Sequence, residues 1–180
     1  MPIAADSWVP LAEVARPHGV RGEVRLKLYN ADSDVLLDRD EILLRMPKGE
    51  EHEVSIDGAR RADTTILLKL HSIDDRDRAD EIRSAVICVR RKDFPPLEDG
   101  EFYVCDIEGA RVLVAEGDGE PRPIGVVAEY LSYPSVDTIR VRADDGGKPW
   151  EVPLVEAFVR SIDVATGVVV LHTLAGIERG

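Results

Sequence analysis

Val14-Ala15-Arg16-Pro17-His18-Gly19-Val20-Arg21-Gly22-Glu23-Val24-Arg25-Leu26-Lys27-Leu28 reads as a strand, a tight loop pinned by glycines and a second strand. Val24, Leu26 and Leu28 alternate with Glu23, Arg25 and Lys27, the period of a half-buried strand. Pro17 fixes one backbone angle, and Gly19 and Gly22 permit positive φ or close backbone approach. The loop therefore presents Arg16, His18 and Arg21 from a stiff frame. Arg25 and Lys27 add basic charge in a chain whose net charge is −12. Donors concentrated against the global charge suit an RNA phosphate backbone.

Working outward, the same pattern of short strands and turn residues recurs. Before residue 92, strands are expected at 9–15, 23–28, 41–45, 52–59, 65–70 and 85–89, with one helix between 74 and 84. Asp74 is the expected N-cap, and Ala79 and Ile82 the inward helical positions. Lys92-Asp93-Phe94-Pro95-Pro96-Leu97-Glu98-Asp99-Gly100 reads as a semi-rigid linker, because adjacent prolines suit neither helix nor central strand. After it, strands are expected at 110–115, 123–130, 138–141, 150–153 and 168–172, with helical turns at 154–161. The fold class is all-β: two small barrels with one or two short helices. The domains are expected at 1–92 and 101–175, joined by a linker over 93–100.

Charge divides unevenly along the chain. Residues 1–92 carry 16 Lys/Arg against 18 Asp/Glu, whereas residues 93–180 carry 7 against 17. The second half would repel RNA and attract a basic protein; maintenance of solubility is the plainer reading. Cys88 and Cys105 form no CxxC pair, and Cys88 reads as a small buried hydrophobe, which suits a reducing cytoplasmic compartment. No apolar run is long enough to span a membrane, and the first residues lack the features of a signal peptide. The four histidines have no metal-ligand spacing, and no nucleotide-binding or hydrolase motif is present, so neither metal nor cofactor is expected.

Four segments, in order, resemble the RimM family of bacterial ribosome maturation factors. The first is the Pro17-His18-Gly19-Val20-Arg21-Gly22-Glu23 loop. The second is Asp75-Arg76-Asp77-Arg78-Ala79-Asp80-Glu81-Ile82-Arg83, similar to a short family helix. The third, Asp99-Gly100-Glu101-Phe102-Tyr103-Val104-Cys105-Asp106-Ile107-Glu108-Gly109, resembles the aromatic pair that opens a PRC-barrel domain. The fourth comprises Val152-Pro153-Leu154-Val155 and Val159-Arg160-Ser161-Ile162-Asp163. The resemblance implies a six-stranded N-terminal barrel, a C-terminal PRC barrel, and a monomer without catalysis. It also implies binding to the pre-30S particle near the head domain of 16S rRNA, and to ribosomal protein S nineteen through the PRC barrel.

On that basis Arg16, His18, Arg21 and Lys27 are candidate rRNA contacts, with Pro17, Gly19 and Gly22 shaping their loop. Gly19-Val20-Arg21-Gly22 superficially matches the GxxG loop of KH domains, but that loop joins two helices and here the flanks read as strands. An ordinary hairpin turn is the alternative. Phe102, Tyr103, Asp106, Glu108 and Tyr133 are candidate contacts to the ribosomal protein, and Gly109 is expected at a turn. If residues 102 and 103 lie on a strand, their rings point to opposite faces. Packing inside the second domain is the alternative for the rings, and backbone capping for Asp106. Two further functions remain open from sequence: a PRC-barrel adaptor for a small molecule or a non-ribosomal protein, and a small hydrolase using His18 with Asp106.

Overall fold

The computed structural model describes residues 3–98 and 101–180, which form two compact units, Ala4–Pro96 and Leu97–Gly180. In the first, strands β1 (Trp8–His18), β2 (Glu23–Leu28), β3 (Glu41–Arg45), β4 (Glu51–Ala62), β5 (Thr65–Leu70) and β6 (Val86–Arg90) close a barrel in the order β1-β2-β5-β4-β3-β6. Alternation decides which residues fill it. Val24 and Leu26 on β2, Ile66, Leu68 and Leu70 on β5, and Ile87 and Val89 on β6 all point into one core. Each such fully buried side chain contributes roughly 1.5–3 kcal/mol relative to exposure. Helix α1 (Arg76–Glu81) packs on β1 and β2, with Ala79 and Ile82 joining the core. Cys88 is buried, and burial raises its thiol pKa.

Three local expectations change. The helix is capped by Asp75, whose carboxylate accepts from Arg78 N–H at 2.8 Å, not by Asp74, which pairs with Lys69 Nζ at 2.9 Å. Strand β1 runs through Pro17 to His18. Beyond Glu13 it pairs with β2 and no longer with β6, so it is an edge there and the missing proline N–H breaks no sheet. Ala15 is the extra residue of a bulge between Val14 and Arg16. A 3₁₀ turn at Val35–Asp38 also buries Val35 and Leu36.

The second unit contains helix α2 (Val104–Ile107) and strands β7 (Arg111–Val114), β8 (Arg122–Ser132), β9 (Asp137–Ala143), β10 (Trp150–Pro153), β11 (Val159–Asp163) and β12 (Val168–Leu171). They make one sheet in the order β10-β9-β8-β7-β12-β11, in which β7 and β12 are parallel and the other neighbours antiparallel. Val112, Val127, Ile139, Val141, Val152, Val169 and Leu171 share one core, so the sheet curls about its own inner face. Strands β10 and β11 end the hydrogen-bonded order. Residues 154–161 do not make the expected helical turns throughout; β11 begins at Val159, with a bulge between Val159 and Ser161. That bulge places Val159 and Ile162 on the same core, and their separation of three mimics a helical spacing.

At the β10 edge, Arg179 forms an isolated bridge with Trp150, and Gly180 N–H donates to Pro149 O at 3.1 Å. The Arg179 guanidinium lies 4.0 Å over the Trp150 ring and donates to both Asp145 carboxylate oxygens at 3.0 and 2.7 Å. This covers a sheet edge that would otherwise be open.

Candidate functional site

The β1–β2 connection is only four residues long, and its two glycines do different work. Gly19 has φ +65° with open space around it. Gly22 has φ +79°, and a Cβ there would overlap the Ile73 carbonyl and approach its carbon to 2.6 Å. Gly22 therefore docks the loop against the chain entering α1. Val20, at the tip, is 73% exposed.

Register then arranges the charges. On the outer face Arg16 stands opposite Arg25, Lys27 opposite Glu13, and His18 opposite Glu23. The row continues from Arg25 to Leu67 on β5 and Arg60 on β4. Arg60 is neutralised by Glu23, with both guanidinium–carboxylate contacts at 3.2 Å. Arg16, Arg21, Arg25 and Lys27 make no ion pair among the described residues, whereas Arg45, Arg61, Arg90, Lys92, Arg111 and Arg140 all do. Arg16, Arg21 and Lys27 are exposed; Pro17, His18 and Arg25 are half-buried. Arg25 belongs to this group as fully as the loop residues do. The strand pattern alone marks it only as an outward position; pairing with Arg16 depends on the bulge at Ala15.

In the second unit Phe102 and Tyr103 precede α2 and are not on a strand. Both are half-buried, and Phe102 packs against the core. Asp106 is 5% exposed and accepts from Tyr103 N–H at 3.4 Å, the backbone-capping arrangement, so it orders the turn. Gly109, at φ +81°, donates to Val127 O at 2.8 Å and turns the chain from α2 toward β7. Glu108 is exposed and accepts from Tyr130 N–H at 3.4 Å. Tyr133 is 45% exposed; its hydroxyl donates to Glu151 at 3.4 Å, in a network where Arg140 bridges Glu151 and Glu129. The side chains thus divide into a half-buried aromatic pair, a buried organising carboxylate and two exposed side chains, Glu108 and Tyr133.

His18 and Asp106, the pair a hydrolase would need, lie in different units. Among the described residues no cluster of His, Cys, Asp or Glu could hold a metal ion, and no helix is long and apolar enough to cross a membrane.

A family model described as the RimM N-terminal domain matches residues 9–94. A ribosome maturation factor RimM from Sorangium cellulosum is 48% identical over 170 residues, covering 94% of this chain and 97% of the relative. One from Oleidesulfovibrio alaskensis is 34% identical, with 88% of each chain covered. A RimM crystal structure from Pseudomonas aeruginosa covers 94% of this chain and 99% of its own, at 26% identity and a TM-score of 0.46. With near-full-length identity of this order added to the matched N-terminal domain, this chain belongs to the RimM family.

Proposed function

We propose that this protein is a non-enzymatic assembly factor of the small ribosomal subunit. Its first unit faces 16S rRNA in the head domain of the pre-30S particle, and its second holds ribosomal protein S nineteen. The cytoplasm is the compartment in which that work is done. The observation that carries the RNA half is the set of four cations on the β1–β2 hairpin that make no ion pair among the described residues, although Lys27 faces Glu13 across the strands. Two guanidinium groups opposed across adjacent strands repel one another, and an intervening phosphate relieves that repulsion. Arg16, His18, Arg21 and Lys27 are the proposed contacts, with Arg25 beside them. The acidic second unit supports the protein half, in which Phe102, Tyr103, Glu108 and Tyr133 meet the partner and Asp106 positions the turn that presents them.

No covalent step is required. A binder favours one conformation of an assembling particle only by its differential affinity for that state. Release follows when the mature surface no longer offers the preferred geometry.

Co-sedimentation of the full chain with immature small subunits tests this reading. Arg16→Glu with Arg21→Glu and Lys27→Glu is expected to abolish association. The corresponding neutral variants are expected to flatten the slope of log affinity against log salt by about 0.7–0.9 for each phosphate left without its cation. Unchanged association of the triple charge reversal overturns the RNA half.

A further inference from the structure

The second unit carries a groove of about 660 Å³ between residues 97, 98, 101 and 102 on one side and the segment 154–165 on the other. Its apolar lining comes from Phe102, Leu154, Val159 and Ile162, all half-buried and packed on the core. Its rim carries Glu98, Glu101, Glu156 and Asp163, against the one base Arg160. None of these four acids makes an ion pair among the described residues. Two are held in place by backbone donors: Glu101 accepts from Glu98 N–H at 3.0 Å, and Asp163 from the N–H groups of Ala165 and Thr166 at 3.0 and 3.1 Å.

One side of the groove is β11, whose strand partner is β12; β11 ends the sheet order. An edge strand offers main-chain donors and acceptors to an added strand. We infer that this groove captures an extended, Lys/Arg-rich segment of a basic protein, added alongside β11 with alternate apolar residues in the groove and basic residues against the rim. The charge excludes RNA as the occupant, because four fixed or exposed carboxylates repel phosphate. Apolar contacts and main-chain bonds supply the affinity, while the unpaired acids select sign and speed the encounter. The inference deepens, and rests on, the reading that the second unit holds ribosomal protein S nineteen.

The test uses the full chain and purified ribosomal protein S nineteen, with amide hydrogen exchange as one readout and titration as the other. Binding is expected to protect the amides of Val159–Asp163. Glu101→Lys with Glu156→Lys is expected to weaken binding about tenfold or more, whereas the same charge change at Asp118 and Glu120, in a turn outside the groove, weakens it by about threefold or less. Tight binding without β11 protection, and with both pairs of reversals equivalent, overturns the groove and leaves the S nineteen reading intact. If S nineteen does not bind at all, that reading fails, and an octapeptide alternating valine and lysine becomes the probe. Protection of β11 by this peptide sustains the groove; absence of protection overturns it.

Discussion

Gly22 occupies the space directly against the Ile73 carbonyl, whose oxygen also accepts from Lys69 Nζ. The loop carrying the cations is therefore fixed to the first barrel by a contact that tolerates no side chain. Gly22→Ala meets both a positive φ and this overlap, and is expected to cost ~2–4 kcal/mol. Gly19→Ala meets only the backbone penalty, ~1–2 kcal/mol. Denaturant midpoints of the two variants check the ordering; equal losses would show that the Ile73 contact is not what constrains residue 22.

Arg16 and Arg25 predict an opposition between stability and binding. Arg16→Gln removes one of two like charges facing each other across β1 and β2, so the isolated protein is expected to gain up to ~0.5 kcal/mol. The same change is expected to weaken association with immature subunits. Chemical denaturation and co-sedimentation on one preparation measure both; a loss of stability would show that Arg16 has a structural partner.

The helix cap separates two adjacent aspartates. Asp75→Ala removes the acceptor for Arg78 N–H and is expected to destabilise by ~1 kcal/mol. Asp74→Ala leaves the cap intact and breaks only the exposed pairing with Lys69, so its effect is expected to be clearly the smaller of the two. Thermal melts of the two variants distinguish them, and the reverse order would return the cap to Asp74.

The pH response of the second unit has two limbs. The Arg179 hydrogen bond, followed by the Gly147 N–H, holds the Asp145 carboxyl below the usual range. Because the folded value is the lower one, the stabilisation is present above the ordinary carboxylate pKa and is lost as pH falls through the folded value. In a Trp8→Phe background, Trp150 fluorescence is expected to report this loosening as pH falls below the ordinary carboxylate range; Asp145→Asn removes that component. At the other extreme, burial first and Asp137 second push the Tyr130 hydroxyl up to about 12. Its neutral form contributes stability below the ordinary tyrosine pKa, lost as pH rises toward 12. Absorbance titration against Tyr130→Phe isolates it; ionisation near the ordinary value would contradict the burial.

Strands with strict alternation were readable from sequence because period two survives burial of one face, as at Val24 and Leu26 or Ile66, Leu68 and Leu70. Legibility failed at bulges. The extra residue at Ala15 hid the pairing of Arg16 with Arg25, and the one at Val159–Ser161 gave β11 a helical spacing. Helix α2 was obscured for a different reason: at four residues it is a single turn, too short to show periodicity. The basic loop was visible because its charges oppose the chain average, whereas the β11 groove joins segments more than fifty positions apart and leaves no local signature.

The parallel pairing of β7 with β12 has a consequence for biosynthesis. The first barrel closes once Arg90 has been made, since β6 returns to β1. The second sheet must wait for residues 168–171, because β12 alone connects β7 to β11. A chain emerging from the translating ribosome thus completes its cationic hairpin while β7 still lacks its neighbour β12, and the interval between those two events is when that open strand edge most needs shielding.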